Sequence, residues 1–369
     1  MFFCLAQAIF RPLAVASLLN PPAVDATMSR SPTETAEDIR ALRIQGARRV
    51  ARAALAALNE AAQASSAPSK GALYEDLLQT ARMLEETRPT EPMMRNALED
   101  SLRYALVWIR THQSLEPKEL VEALEQHQHE ILDEMEAAVG TIAKIGAAEI
   151  PDHAAIMVHC HSTTVVRLLT EAQKLGKHPK VTCLETRPLY QGRLTARELA
   201  AAGVDVRLAV DSAAGSLMNK MDGVLVGADA ITSEGDLVNK IGTYGLAQMA
   251  HLHSVRFLCV AELYKYDPLT RFKGTESIEQ RAAGEVWGSG RYRQEKNSEE
   301  ESRAGKNLAH DGPLAPLPIP QNLKIINPAF DRTPARFISA YITEAGLTPP
   351  GQLAILAERK LKNSPKIEV

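Results

Sequence analysis

Cysteine is scarce in this chain, and the four present, Cys4, Cys160, Cys183 and Cys259, are scattered along it. No C-x-x-C pair occurs, so neither a disulfide framework nor a cysteine-built zinc site is expected, which fits a reducing compartment. Aromatic residues make up only 5%, too few for the stacking platforms that hold single-stranded nucleic acid. An excess of positive charge is missing as well. The formal net charge is −3, whereas nucleic acids and anionic membranes select basic surfaces. Long apolar runs are also absent. The stretch MFFCLAQAIFRPLAVASLLNPPAVDAT is broken by Arg11-Pro12 and lacks a basic leading region, so neither a transmembrane helix nor a secretory signal is expected. Met28 opens MSRSPTETAEDIRAL in the manner of a soluble start, and residues 1–34 are read as a leader, disordered or a mis-called start.

What is present points to a globular chain with a sizeable core: 369 residues, 24% charged and 45% hydrophobic, are enough for two domains. From about residue 35 to 149 the apolar spacing is helical throughout, as in TAEDIRALRIQGARRVARAALAALNEAAQ and PKELVEALEQHQHEILDEMEAAVGTIAKIG. At Ile150-Pro151-Asp152 the pattern changes. Short apolar runs (AAIMVHC, KVTCLET, DVRLAVD, DGVLVGAD, RFLCVAE) then alternate with helical ones, which predicts a parallel sheet covered on both faces. Residues 271–320 break that rhythm with YRQEKNSEEESRAGKNLAHDGPLAPLPIP and are read as a disordered insertion. Ligands of open parallel sheets sit at the carboxyl ends of the strands. The polar residues ending these runs, Cys160, Glu185, Asp211, Asp229 and Glu262, are therefore candidates for one pocket.

His159-Cys160-His161 poses the first chemical question. Successive strand side chains point to opposite faces, so the three do not converge on one ion without a turn, and no metal is expected. Cys160 is either a buried structural thiol or a reactive one at the start of a helix capped by Ser162. In the second case the first-turn amides favour a thiolate and also receive a phosphate. Asp229 in GAD is either an acid catalyst whose pKa is raised by burial, or the cap of the next turn. The stretch EGDLVNKIGTYGLA sets Gly235, Asn239, Lys240 and Gly242 ahead of a helix, a loop suited to anions. ETRP occurs at 86–89 and again at 185–188, and an arginine ahead of proline in a loop can clamp a phosphate.

HCHSTTVVR, ETRPLYQGRLTARELAAAGVDV, DSAAGSLM, VGADAI, VNKIGTYGLA, VAELYKYDP and NPAFDRTPARFISAYITEAGLTPP follow in order from Ile156 to Pro350. Together they resemble a family that contains sugar-phosphate isomerases and the regulatory subunits of a translation-initiation guanine-nucleotide exchange complex. The resemblance reaches the helical part through RIQGARRVARAA and EETRPT. It implies an α/β fold, an N-terminal helical domain followed by a Rossmann-like parallel-sheet domain over 150–369. It further implies a cytoplasmic homo-oligomer, a dimer or hexamer, that needs no cofactor. In the isomerase branches the strand-end cysteine and the aspartate of GAD are the catalytic pair, here Cys160 and Asp229; the regulatory subunits typically lack the cysteine. HCHS and AELYKY resemble the branch acting on ribose 1,5-bisphosphate. NKIGTYGLA also resembles the branch acting on methylthioribose 1-phosphate, whose RGAPAIG is absent. By the same resemblance the sugar phosphate contacts Gln45, Gly46, Ala47, Arg48, Arg88, Ser162, Thr163, Thr164, Asn239, Lys240 and Lys265. One departure stands out: the family's R-G-A-G reads Gln45-Gly46-Ala47-Arg48 here. Either the cation has moved along the helix or the phosphate end of the substrate differs.

Overall fold

The computed structural model describes residues 30–112, 114, 116–273, 278–287 and 319–362. Most of the expected leader, and residues 274–277 and 288–318 of the expected insertion, lie outside the described residues. Five helices come first: α1 (Pro32–Arg40), α2 (Ala47–Ala64), α3 (Lys70–Glu85), α4 (Pro92–Thr111) and α5 (Pro117–Glu149). Local chemistry sets their starts. Ser31 and Glu34 form a reciprocal capping box ahead of α1, with Pro32 in the first turn, and Ser69 accepts from the Ala72 N–H ahead of α3. The run TAEDIRALRIQGARRVARAALAALNEAAQ is divided between α1 and α2, where Gly46 takes φ 88°, a region other residues adopt only under strain. The apolar faces of the five helices close a core around Leu55, Leu77, Met94 and Leu124.

The remainder is a sheet covered by helices on both faces. Its elements are β1 (Ala155–His159), α6 (Thr163–Lys174), β2 (Lys180–Leu184), α7 (Gln191–Ala201), β3 (Asp205–Ala209), α8 (Ala214–Leu217), β4 (Gly223–Val226), β5 (Ala230–Ile231), β6 (Leu237–Lys240), α9 (Thr243–Leu252), β7 (Arg256–Val260), α10 (Thr270–Lys273), α11 (Ala283–Trp287), β8 (Phe330–Thr333), β9 (Ala340–Thr343), β10 (Gly346–Thr348) and α12 (Pro350–Lys362). The large sheet runs β10-β9-β7-β4-β1-β2-β3, parallel except for β10. Chain order therefore reverses between β1 and β4, whose registers pair Val158 with Leu225 and His159 with Val226. At such a switch the two flanking loops diverge to opposite faces and leave a crevice. One core lies on each face, around Met157 and Phe257 on one side and Ile156 and Leu169 on the other.

Two expectations are corrected. The stretch around Asn239 and Lys240 is not a loop but β6, the middle strand of a small antiparallel sheet β5-β6-β8, with Asn239 opposite Asp331 and Lys240 opposite Phe330. Residues 278–287 fall in the segment expected to be disordered, yet they pair with the fold. Ala329 N–H donates to Glu279 O at 2.8 Å and Arg281 N–H to Asn327 O at 2.8 Å. Ile278 packs against Ala230, Val238, Ala329 and Phe330, and Arg281 is matched by Glu279 and Glu285, contacts that composition does not reveal. Among the described residues no helix is long and apolar enough to cross a membrane.

Candidate active site

The crevice at the switch point opens into a cavity of about 280 Å³ whose lining takes in every residue that the resemblance implied at the site, from Gln45–Arg48 and Arg88 to Cys160, Ser162–Thr164, Asp229, Asn239, Lys240 and Lys265. A second cavity, of about 390 Å³, lies in the helical part among Ala62, Leu73, Val121 and Glu122, and its lining holds no cysteine or histidine.

Cys160 follows β1 directly and turns the chain with φ 68°. Two buried threonine hydroxyls hold that turn: the Cys160 N–H donates to Thr186 Oγ1 at 2.8 Å, and Thr195 Oγ1 donates to Cys160 O at 2.9 Å. Ser162 then caps α6, as expected, accepting from the Val165 N–H. The flanking histidines leave in different directions. His159 Nε2 lies 2.9 Å from Ile241 O, and His161 Nδ1 lies 3.1 Å from Thr195 Oγ1. Burial holds both imidazoles below their ordinary range, so both are neutral at pH 7.

The helix start does not make Cys160 a thiolate. Burial pushes its thiol up to about 11, with Lys240 pulling the other way and Asp229 adding to the rise. Desolvation of the charged form outweighs the helix amides here. Asp229 follows β4, and its main-chain N–H donates to Val238 O at 3.0 Å. Burial raises its carboxyl above the usual carboxylate range, opposed by Lys240, Lys265 and Arg88. The loops of β1 and β4 are forced close by Gly227, where a Cβ would stand 2.8 Å from the Ser162 Cβ.

Opposite these strand ends lie the helices. Arg48, in the first turn of α2, donates to Thr163 Oγ1 and Glu136, each at 3.0 Å, and its Nε is 3.5 Å from Glu262. A cation therefore does enter the cavity, from position 48. Gln45 is turned back, its amide donating to Leu42 O at 2.7 Å. Arg88 is buried and ion-paired with Glu91 at 3.0 Å. Lys265 lies 3.4 Å from Glu262. Burial works to raise the Glu262 carboxyl, but Lys265 and Arg48 hold it below the usual range. Asn239 donates to Thr243 Oγ1 at 3.0 Å, and the Lys240 ammonium lies 5.0 Å from the Phe330 ring centre.

Three sequence candidates go elsewhere. Glu185 pairs with Arg193 at 2.9 Å, and Asp211 accepts from the Thr186 and Arg187 N–H groups at 2.8 and 2.7 Å. Both follow β2 and β3, on the far side of the switch, and neither lines the cavity. The second ETRP arginine, Arg187, reaches Tyr190 Oη and Val286 O. Nor is the start of α9 open to an anion, because Asp331 accepts from the Gly242 and Tyr244 N–H groups at 2.8 and 3.1 Å. Conversely, Glu91 and Arg281 line the cavity unforeseen. Glu91 is only 2% exposed, and burial raises its carboxyl to about 7 against the pull of Arg88. Its neighbour ETRP was the one available signal.

The sequence matches the Initiation factor 2 subunit family over residues 43–350. It is 35% identical over 317 residues to ribose 1,5-bisphosphate isomerase of Thermococcus kodakarensis, covering 86% of this chain and 90% of that protein. With ribose 1,5-bisphosphate isomerase of Haloferax volcanii the identity is 37% over 322 residues, covering 87% and 90%. Among solved structures, 5-methylthioribose 1-phosphate isomerase from Pyrococcus horikoshii OT3 aligns with a TM-score of 0.66 at 28% identity, covering 90% of this chain and 88% of that one. The matched span carries the helical part, the switch-point sheet and both strand-end groups, so the chain belongs to the Initiation factor 2 subunit family.

Proposed function

We propose that this chain is an aldose–ketose isomerase converting ribose 1,5-bisphosphate to ribulose 1,5-bisphosphate, with Cys160 and Asp229 as its proton-transfer pair. The observation that carries this reading is their meeting, from the two strand ends at the switch point, in one cavity edged with cations. The activities named for the Thermococcus and Haloferax relatives support it.

A sugar phosphorylated on its anomeric oxygen has no free anomeric hydroxyl, so its ring does not open by the ordinary hemiacetal route. Asp229, whose protonated form burial favours, gives its proton to the ring oxygen as the C1–O bond breaks. The Cys160 thiolate takes the proton from C2, leaving an enol between C1 and C2. The thiol returns a proton to C1, the C2 hydroxyl gives its own to the Asp229 carboxylate, and a ketone stands at C2. Both groups end as they began.

The required pairing, thiolate with carboxylic acid, is the minor one in the empty site, where the thiol sits at about 11. Lys240 favours it, and so does neutralisation of Asp229, because the aspartate charge is one of the causes holding the thiol up. The dependence of kcat/KM on pH is therefore bell-shaped, with both limbs belonging to the pair.

Binding rests on the cations and on the first turn of α6. Seven basic side chains line the cavity against three carboxyls, Arg43, Arg48, Arg49, Arg88, Lys240, Lys265 and Arg281 against Glu91, Asp229 and Glu262. Three of these cations are shared with carboxylates outside the lining, Arg43 with Asp38, Arg48 with Glu136 and Arg281 with Glu279, and each phosphate, of about −1.5 to −2 charge, competes for them. We read the chain as a cytoplasmic homo-oligomer. Cys160, Cys183 and Cys259 are free thiols, and Leu208 of the edge strand β3 and Val210 just after it are exposed. Its product would connect nucleotide breakdown, AMP degradation included, to carbon metabolism. Turnover of ribose 1,5-bisphosphate, followed as ribulose 1,5-bisphosphate formed, beside methylthioribose 1-phosphate is the test. Preference for the methylthio sugar would reassign the substrate, and turnover of neither would leave a ligand-sensing regulatory subunit.

A further inference from the structure

We propose that Asn96, on α4 and outside the cavity, is a positioning residue for Lys265, an inference that rests on the reading of Lys265 as a substrate contact. Lys265 sits on a short turn, Leu263–Lys265, that follows Glu262 at the end of β7. That turn satisfies part of its own main chain: the Lys265 N–H donates to Glu262 O and the Tyr266 N–H to Leu263 O, both at 3.0 Å. The two carbonyls on either side of Lys265 are taken from outside. Asn96 Nδ2 donates to Tyr264 O and to Tyr266 O, each at 2.8 Å.

One amide thus holds the residue before Lys265 and the residue after it, and Asn96 is itself only 3% exposed. The same helix grips the segment twice more. Arg95 Nη2 pairs with Asp267 Oδ1 at 2.5 Å, and the Tyr264 hydroxyl donates to Asp100 Oδ2 at 3.3 Å. Tyr264 is buried in the core of the helical part, not in that of the sheet.

The physical consequence follows from the lysine side chain. Four methylenes give the ammonium freedom, so where it can reach depends on where its Cα is held. Lys265 lines the cavity with its Nζ 3.4 Å from Glu262, and its backbone is held from the helical side by Asn96 and from the sheet side by the bridge between Ile231 and Tyr266. Deleting the Asn96 amide removes the donor that the two carbonyls share and with it this link between α4 and the turn that carries Lys265. Lys265 moves with that turn.

The test uses the whole chain as wild type, Asn96→Ala, Lys265→Ala and the double variant, with Asn96→Ser as a milder change that keeps one donor. Each is measured for kcat and KM on ribose 1,5-bisphosphate, and for inorganic phosphate binding by calorimetry, a probe that needs no turnover. Asn96→Ala should weaken phosphate binding and raise KM by about ten-fold, leaving kcat less affected, with Asn96→Ser in between. In the Lys265→Ala background the same change should add less than about two-fold, because its route to the ligand is already gone. The melting temperature should fall by the same amount in both backgrounds. An equal ten-fold loss in both backgrounds, or none in either, overturns the proposal. A wild type that turns over no sugar phosphate but still gives the coupled loss in phosphate binding refutes the isomerase reading alone.

Discussion

The two walls of the cavity are built in different ways. On the sheet side, Cys160 and Asp229 stand at strand ends whose relative position follows from the register of β1 and β4. On the helical side, Arg48 and Arg88 are placed by other charges, Arg48 by Glu136 and Glu262 and Arg88 by Glu91. The first wall is rigid and carries titratable groups shifted by burial. The second is a set of charges already paired in the empty site, so a ligand phosphate has to compete for them. Chemistry belongs to the first wall, whereas the second contributes affinity alone, and substitutions should separate the two.

The largest effect is expected at the strand ends. Cys160→Ser and Asp229→Asn should each lower kcat by about a thousand-fold or more, and the double variant should be scarcely worse than either. Serine is too weak a base at neutral pH, and asparagine has no proton to give. Inorganic phosphate should still bind to both in calorimetry. Near-normal turnover by Cys160→Ser would remove the thiol from the mechanism and return it to the buried structural role. Next comes the spacing between the two loops. Gly227→Ala puts a methyl 2.8 Å from the Ser162 Cβ, and Ser162 cannot yield without moving the first turn of α6. A displacement near an ångström costs up to about a hundred-fold in kcat; an unchanged kcat would mean that the two loops need not be so close.

The helical wall should answer in binding. Arg48→Ala should raise KM by about ten-fold with kcat kept, roughly 1.4 kcal/mol. No change in KM would show that Arg48 serves only Glu136 and Glu262. Smallest is the effect of Glu91→Gln, which is read in stability. The Glu91 carboxyl stands at about 7 in the folded chain, above its ordinary 4.5. The folded state therefore binds more protons than the unfolded one between these values, and wild-type stability falls as pH rises through that window. Glutamine does not titrate. The melting temperature of Glu91→Gln relative to wild type should increase from about pH 5 to about pH 8; a constant difference would mean that Glu91 is ionised throughout.

The rigid wall was the more legible one. A short apolar run ending in a polar residue marks a strand end, and that was enough to find Cys160, Asp229 and Glu262. The same rule also proposed Glu185 and Asp211, because chain order says nothing of strand order: β2 and β3 lie beyond the switch. The helix start of Cys160 left thiol and thiolate both open, since neighbouring residues in sequence report the amides but not the depth of burial. In the helical wall, Arg48 and Arg88 were found through resemblance. Glu91 and Arg281 resemble any surface charge when read along the chain: their partners Arg88 and Glu279 stand within three residues of them, but the cavity they line is closed by segments distant in sequence.

Gly46 and the turn it makes ahead of α2 have a bearing on how such chains diversify. A helix start accepts substitutions one residue at a time, and here a glutamine stands at 45 and the basic residue at 48. A strand end allows no such sliding, since a one-residue shift in register turns every side chain to the other face. Selection can therefore rewrite what the pocket recognises while the acid and base stay in place. It can also discard either of those two groups and keep a pocket that senses a ligand without altering it, so a catalyst and a sensor can descend from one ancestor by very few changes.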